Sequence, residues 1–453
     1  MVWTTERDTL EKVPNIIVEP PGPNAKKIIE MDNEFVATST KAAPIAVESA
    51  SGAVIRDVDG NTLLDFASGV AVLNIGHCHP KVVKAVQEQA AKLMHFAGTD
   101  YYYDIQSELA KRLCQVGPGH YKKKIFFSNS GAESIEAAMK LARWNRPDRK
   151  QFIAFIGAFH GRTLGSLSLT ASKRVQRERY APMIPGVTHI PYAYCYRCPY
   201  HLEYPSCGIW CADILKEIYF DTITPPEEVA ALFMEPVQGE GGYIVPPVGW
   251  AKKIYDIINK EGILLVDDEV QAGMGRSGKM WCIEHHGIEP DVACMAKSLG
   301  SGLPIAATTF RSELDWKVKG AHSNTYGGNC VACASAMATL DVYEEEGIVD
   351  MAAKKGVHLR KRLEEMQDRY EQIGDVRGFG MMQAIELVED RKSKTPACRL
   401  RDKVDELCMK RGLITLGCGK SGIRVIPPII TPLEQIDAGL DVLEKAIGDA
   451  VRK

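Results

Sequence analysis

The stretch Leu264-Leu265-Val266-Asp267-Asp268-Glu269-Val270-Gln271 decides the fold class of this chain. An apolar run passes directly into consecutive acids, which is typical of a buried strand whose carboxyl end carries functional side chains. A second apolar run, Val292-Ala293-Cys294-Met295-Ala296, ends at Lys297 and precedes a glycine-rich segment. Strands that are apolar along their whole length are covered on both faces, so the two runs predict a mostly parallel α/β sheet.

The same alternation of apolar runs and helical periodicity extends from about residue 101 to residue 328. It predicts strands at 124–128, 151–155, 231–235, 263–267 and 292–296, with helices at 132–143 and 330–346. Upstream, alternating residues on both sides of Asp59-Gly60 predict a β-hairpin over 53–66, after a short helix around 25–34. Downstream, the pattern predicts helices at 351–370, 399–411 and 432–450 around strands at 380–388 and 423–426.

This order of elements divides the chain into three regions. Residues 1–60 are expected to form an N-terminal arm and part of a small domain. Residues 61–330 are expected to form the large domain, with a cysteine-rich insert at about 194–212. Residues 331–453 are expected to form the C-terminal part of the smaller α+β domain. A chain of 453 residues is long enough for such domains to share a large apolar core.

Composition excludes several classes of partner. The chain has 55 basic and 58 acidic residues and a formal net charge of -3, without a long block of like charge. Neither nucleic acid nor an anionic membrane surface is therefore expected as a partner. The apolar runs are far shorter than the ~20 residues that span a bilayer. The charged N-terminus lacks the apolar segment of a signal peptide, so a cytoplasmic protein is expected.

Three local features point to one kind of cofactor. Lys297 stands where burial would depress the pKa of its ammonium, although a lysine just beyond a strand is commonly solvated. The small residues of 127–133 join a strand to a helix, where free backbone N–H groups bind phosphate; such junctions also occur in α/β proteins of other functions. A nucleophilic lysine, a carboxylate for a ring nitrogen and a phosphate cradle are what pyridoxal phosphate requires from a protein.

Six motifs follow one another along the chain: SNSGAE at 128–133, GAFHGRT at 157–163, EPVQGEGG at 235–242, DEVQ at 268–271, Lys297, and TYGGN at 325–329. In this order the chain resembles the class III aminotransferases, the group of the 4-aminobutyrate, ornithine and acetylornithine enzymes. The resemblance runs from about Pro20 to the C-terminus. It implies a pyridoxal-phosphate-dependent transferase of fold type I, with a large, mostly parallel sheet domain and a smaller α+β domain.

The resemblance also implies which residues bind the cofactor: Gly131, Ala132, Phe159, His160, Asp268, Gln271, Lys297 and Thr325. Lys297 would carry it as an internal Schiff base and move the proton between substrate and cofactor. Asp268 would pair with the pyridinium nitrogen. Thr325 would reach the phosphate bound by the neighbouring subunit, which requires a homodimer or a larger assembly built from dimers.

The remaining cofactor contacts are implied in the same way. Phe159 would stack on the ring, and Gln271 would lie near the cofactor's 3′-oxygen. Gly131 and Ala132 would donate backbone N–H groups to the phosphate. Many relatives have serine or threonine where this chain has Ala132, so a backbone donor remains at this position but a side-chain hydroxyl does not.

Four residues are expected to determine which substrate binds. Arg424 matches the family's arginine for the α-carboxylate of glutamate or 2-oxoglutarate, and Arg162 matches the arginine for the distal carboxylate. Glu240 matches a glutamate that masks the α-carboxylate arginine while an ω-amine is bound. Val70 stands where animal-type ornithine aminotransferases have a tyrosine, which favours an ω-amino acid such as 4-aminobutyrate. An amino-acid racemase on the same fold is the alternative, because the same Schiff base acidifies the Cα–H.

The insert carries its own motif. Cys195, Cys198, Cys207 and Cys211 form a C-x2-C-x8-C-x3-C pattern. Four thiols at this spacing could bind zinc or an iron–sulfur cluster, form disulfides, or remain reduced packing residues. A non-catalytic protein that binds a partner through this insert is a remote alternative function.

Overall fold

The computed structural model describes residues 13–452. Its helices are α1 (Pro23–Phe35), α2 (Ser68–Ala71), α3 (Pro80–Lys92), α4 (Asp104–Val116), α5 (Gly131–Asn145), α6 (Leu164–Leu169), α7 (Trp210–Ile214), α8 (Trp250–Lys260), α9 (Cys330–Glu345), α10 (Ile348–Arg369), α11 (Cys398–Lys410) and α12 (Leu433–Val451). Its strands are β1 (Val47–Ser51), β2 (Val54–Asp57), β3 (Thr62–Asp65), β4 (Lys123–Ser128), β5 (Gln151–Phe155), β6 (Val187–Ile190), β7 (Val229–Met234), β8 (Leu264–Asp268), β9 (Val292–Met295), β10 (Ala306–Arg311), β11 (Ile373–Phe379), β12 (Met382–Leu387), β13 (Leu413–Ile414), β14 (Leu416–Cys418) and β15 (Gly422–Val425).

The central sheet has seven strands in the order β4-β10-β9-β8-β7-β5-β6. All neighbouring pairs from β9 to β6 are parallel, whereas β10 runs antiparallel to both β4 and β9. The fold class predicted from the sequence, a mostly parallel α/β sheet, is therefore confirmed. Every residue of β7, β8 and β9 is buried, because the sheet is covered on both faces.

Parallel pairing brings the carboxyl ends of these strands to one edge of the sheet. Asp268, the last residue of β8, is paired with Cys294 in β9, three residues before Lys297. Strands β5 and β7 end at the same edge, so the loops that follow them also lie there. In open parallel sheets this is the edge at which ligands bind.

Two smaller sheets complete the fold. The predicted hairpin is present as β2 and β3, which pair antiparallel around Gly60. Strand β3 also pairs in parallel with β13, so the N-terminal residues share a sheet with the C-terminal region. The other sheet has the order β11-β12-β15-β14. The boundaries at residues 60 and 330 stay a prediction.

Sequence patterns missed several strands. Strands β1, β6, β10 and β11 were not predicted, because their residues mix polar and apolar types without a strict alternation. No helix within residues 13–452 combines the length and apolarity needed to cross a bilayer.

Candidate active site

Lys297 follows β9 at the ligand-binding edge of the sheet. Its backbone is left-handed, with φ of +44°, which is a strained conformation for a residue with a side chain. Burial lowers the pKa of its ammonium; the charge of Asp268 opposes this shift, and that of Arg424 adds to it. Lys297 is thus an amine whose lowered pKa favours nucleophilic attack.

Asp268 presents a buried carboxylate beside this lysine. Its Oδ1 accepts a hydrogen bond from the N–H of Val270 at 3.0 Å, and its Oδ2 lies 2.7 Å from Nδ1 of His160. Burial acts to lower the pKa of His160, but the hydrogen bond to Asp268 and the carboxylate's charge outweigh it and leave that pKa raised. The structure therefore places His160 against Asp268, where it orients the carboxylate and helps to neutralise it.

The predicted phosphate cradle is the start of α5. Ser130 caps this helix, its hydroxyl accepting from the N–H of Glu133 at 3.3 Å. Gly131 and Ala132 are the first two helical residues, whose N–H groups have no acceptor inside the helix. A Cβ at Gly131 would lie 2.9 Å from Cγ1 of Val270, so glycine permits the close approach of this turn to the β8 loop. Free N–H groups and the helix dipole suit a phosphate.

Phe159 and Gln271 border the same region. The N–H of Phe159 donates to Oε1 of Glu235 at 2.8 Å, and Cζ of Arg162 lies 5.6 Å from the Phe159 ring centre. Arg162 itself is exposed. Oε1 of Gln271 is buried and has no hydrogen-bond partner in the described chain. An unpaired buried acceptor is costly, so this atom fits contact with a bound group.

Glu240 and Arg424, 184 positions apart in the chain, form an ion pair. Arg424 lies in β15 and is only 3% exposed; its Nε is buried without a partner in the described chain. A second cation, Lys173, lies 2.6 Å from the other carboxylate oxygen of Glu240. Burial acts to raise the pKa of Glu240, but the charges of Arg424 and Lys173 hold it below its usual value.

Sequence reasoning missed Lys173 and Glu235. Lys173 is an isolated lysine whose local sequence gives no signal. Glu235 belongs to a quoted motif and directly follows a buried strand, the same signal that identified Asp268. Its carboxylate accepts from the N–H groups of Phe159 and Gly239, both at 2.8 Å, and burial raises its pKa to about 7.

Val70 lies in an unusual turn. Residues Ser68–Ala71 all have positive φ, from 49° to 66°, so this single turn is left-handed. Asp65 stabilises its start by accepting two backbone N–H groups at 2.8 Å, and the hydroxyl of Ser298, next to Lys297, donates to the carbonyl of Ala71 at 3.2 Å. The turn is therefore tied to the lysine segment, and the Val70 side chain is 45% exposed.

Thr325 is exposed at the surface. Its neighbour Tyr326 is 60% exposed and lies 4.9 Å, centre to centre, from the ring of His95. This placement is compatible with a role for Thr325 towards another subunit, which stays a prediction.

The four cysteines of the insert line one cavity. None of the thirteen cysteines, all of which lie in the described residues, forms a disulfide. Within residues 13–452, no three thiol, imidazole or carboxylate groups already stand together as ligands of a single metal ion. Burial, reinforced by the other three thiols of the insert, raises the pKa of Cys211 to about 12.

The central cluster has the groups that pyridoxal phosphate requires. Lys297 is an amine of lowered pKa, Asp268 is a buried carboxylate, and α5 begins with free N–H groups. Gln271 has an unpaired buried acceptor beside them. The fold and this site therefore define a protein of the pyridoxal-phosphate-dependent transferase class.

Residues 35–447 match the family described as aminotransferase class-III. The chain is 36% identical over 427 residues to isoleucine 2-epimerase from Lentilactobacillus buchneri, covering 93% of this chain and 94% of that protein. It is 38% identical over 411 residues to 5-aminovalerate aminotransferase from Pseudomonas aeruginosa, covering 90% and 94%. An (S)-enantioselective ω-transaminase from Thermomicrobium roseum superimposes with a TM-score of 0.87 at 29% identity, covering 94% and 99%. The chain belongs to the class III aminotransferase family, and pyridoxal phosphate is its cofactor.

Proposed function

We propose that the protein is an aminotransferase that moves an amino group from an ω-amino acid, such as 4-aminobutyrate or ornithine, to 2-oxoglutarate and so forms glutamate. The observation that carries this proposal is the pairing of Arg424 with Glu240. A guanidinium that is 3% exposed and has an unpaired Nε is ready to bind a carboxylate, and Glu240 neutralises it when none is bound.

Two half-reactions in one site explain why such a pair is useful. Glutamate places a carboxylate next to the reacting carbon, whereas an ω-amine does not. A carboxylate bound to Arg424 would displace Glu240, and Glu240 would cover the arginine for the other substrate. The planar guanidinium suits this exchange because it binds one carboxylate at a time through two parallel hydrogen bonds.

The roles of the central residues follow from their positions. Bound pyridoxal phosphate withdraws electrons and thereby acidifies the C–H beside the reacting nitrogen. Asp268, oriented by His160, would hold a proton on the ring nitrogen. Lys297, whose lowered pKa leaves more free amine, would take the proton from the substrate carbon and deliver it to the carbon on the other side of the reacting nitrogen. The N–H groups of Gly131 and Ala132 would anchor the phosphate.

The donor is inferred from two further observations. Val70, in the turn tied to Ser298, offers no hydroxyl to the α-carboxylate of a donor such as ornithine, which favours a donor like 4-aminobutyrate. The Pseudomonas aeruginosa relative is named for 5-aminovalerate, which is an ω-amino acid.

A panel of amino donors with 2-oxoglutarate tests the proposal, with glutamate measured by chromatography. We expect glutamate from 4-aminobutyrate, 5-aminovalerate or ornithine, and little from α-amino acids that lack an ω-amine. Arg424→Lys should raise KM for 2-oxoglutarate more than for the donor, because lysine keeps the charge but loses the bidentate geometry. Lys252→Met, which removes an exposed ion pair with Asp256, is the control. Absence of glutamate with every donor would overturn the proposal.

A racemase is the second candidate, because a relative of similar identity is named isoleucine 2-epimerase. A racemase returns the proton to the opposite face of the same carbon and needs no second carboxylate site. Incubation of single-enantiomer amino acids in D2O, followed by chiral chromatography, separates the two. Deuterated antipode formed without a 2-oxo acid supports the racemase; glutamate formation without inversion supports the transferase.

A further inference from the structure

The cysteine-rich insert builds a cavity that the amino-transfer site does not use. Cys195, Cys198, Cys207 and Cys211 all line it, and its other walls include Leu202 and Ile209. No carboxylate or imidazole is among its lining residues, all of which lie in the described chain. Thiols gathered around an otherwise apolar and aromatic cavity form a donor set selective for soft metal centres.

We propose that these four thiols bind an iron–sulfur cluster. A single zinc ion would need its sulfurs about 2.3 Å from one point. No three ligand-type side chains of residues 13–452 form such a group, and the four thiols are instead distributed around a common cavity. This distribution suits a polynuclear cluster, in which the thiolates bind different iron atoms at the periphery.

The pattern in the chain agrees with this assignment. Cys195 and Cys198 lie on a short C-x2-C turn, a spacing that recurs in iron–sulfur proteins. Cys207 lies on the turn that leads into α7, and Cys211 lies in the first turn of that helix. The two pairs thus approach the cavity from two separate segments, which the cluster would join.

The insert is also fastened to the loop that carries Glu240. Arg197 donates to Glu386 at 2.6 Å, and Glu386 lies 2.8 Å from Arg377. Arg377 in turn donates from its Nε to the carbonyl of Gly242 at 2.8 Å. We assign the cluster a structural role, holding the insert so that this chain of contacts fixes the Glu240 loop. No electron transfer is part of the proposal.

Chemical analysis of the full-length protein, purified without oxygen, provides the test. Iron and acid-labile sulfide are measured per chain, because cofactor absorbance does not interfere with either. We expect equal amounts of iron and sulfide, about two of each per chain for a two-iron cluster or four of each for a four-iron cluster, since four cysteines hold either type. Cys195→Ser and Cys211→Ser should lose most of both. Cys78→Ser and Cys398→Ser, which change exposed thiols outside the insert, should retain them.

Several results would overturn the assignment. One is wild-type protein that contains no iron or sulfide and takes up neither after incubation with ferrous iron, sulfide and a reductant. Another is one zinc ion per chain in place of iron. The wild-type measurement decides the question even when a cysteine variant fails to fold. Since metal content does not depend on the reaction, failure here leaves the aminotransferase proposal standing, and the reverse also holds.

Discussion

Glu240 touches two cations, and their balance sets how readily Arg424 becomes free. When a substrate carboxylate takes Arg424, Glu240 loses one partner but keeps Lys173 at 2.6 Å. A carboxylate left without a cation in this half-buried position would be costly. Lys173 therefore lowers the free energy needed to open the carboxylate site.

Lys173→Met should selectively weaken the binding of 2-oxoglutarate. We expect its KM to rise about threefold to tenfold, the effect of a partly exposed ion pair, while KM for a donor without an α-carboxylate near Arg424 changes little. Steady-state kinetics with both substrates measures the ratio of the KM for 2-oxoglutarate to the KM for the donor. Lys173→Arg should restore it, and Lys173→Met should have no further effect when Glu240→Gln is already present. An equal rise in both KM values would contradict this role.

Glu235 makes stability depend on pH. Its pKa is raised to about 7 by burial, so the folded state binds a proton more readily than the unfolded state. The resulting stabilisation is complete below the ordinary pKa near 4.5 and is lost as the pH rises through about 7, up to about 3 kcal/mol. Cofactor-free protein should therefore have a lower Tm at pH 8 than at pH 5.

Glu235→Gln should reduce this fall in Tm, because glutamine does not titrate. Its Tm should also be lower throughout, since an amide can accept only one of the two backbone hydrogen bonds. Glu178→Gln, on an exposed residue, should keep the wild-type pH dependence. An unchanged slope in Glu235→Gln would show that other groups account for it, such as Asp267, whose pKa burial also raises.

At the scale of elements, the start of α5 and the end of β8 function as one unit. Gly131 lies against Val270, two residues after Asp268, so phosphate cradle and ring-nitrogen carboxylate are positioned together. A change that separates the two elements should therefore alter cofactor binding before it alters the rest of the fold.

Gly131→Ala should weaken the binding of pyridoxal phosphate about tenfold. The added Cβ would lie 2.9 Å from Val270, and forced overpacking costs about 1–3 kcal/mol. Fluorescence titration of cofactor-free protein measures the Kd. Alanine favours helices more than glycine does, so helix propensity alone predicts that this variant stabilises the start of α5. The double variant Gly131→Ala with Val270→Ala should bind more tightly than Gly131→Ala alone. A double variant no better than the single one would rule out this clash as the cause.

At the scale of the whole molecule, exposed apolar side chains gather beside Thr325. They are Leu93, Met94, Phe96, Tyr101, Tyr102 and Tyr326. Contacts join the two segments that carry them, including the donation from Thr99 to the carbonyl of Asn324 at 2.9 Å. Exposed apolar side chains gathered on neighbouring segments are typical of an association site.

We expect a homodimer formed through this surface, with twice the 49.9 kDa chain mass in light scattering. Tyr102→Asp, at a side chain that is 99% exposed, should shift the protein to monomers because a carboxylate is costly in an apolar interface. The monomer should bind cofactor more weakly if Thr325 serves the neighbouring subunit. Val357→Asp, exposed on α10, should remain dimeric. Monomeric wild-type protein would contradict the prediction.

Local sequence was enough to predict the sheet and the positions of Lys297 and Asp268. An apolar run reports a buried strand directly, and parallel strands place the residues after their carboxyl ends at one edge whatever the exact register. The hairpin around Gly60 was predicted for the same reason, since its turn chemistry lies in adjacent residues. Strand β10 was missed because its alanine, threonine and phenylalanine residues show neither a continuous apolar run nor a strict alternation.

Only the tertiary structure decided the contacts between distant segments. The pairing of Lys173 with Glu240, the contact of His160 with Asp268 and the common cavity of the four thiols each join different loops. Periodicity reports whether a residue is buried, but not which residue lies opposite it. That partner depends on strand register and loop paths, which are set by the packing of the whole chain.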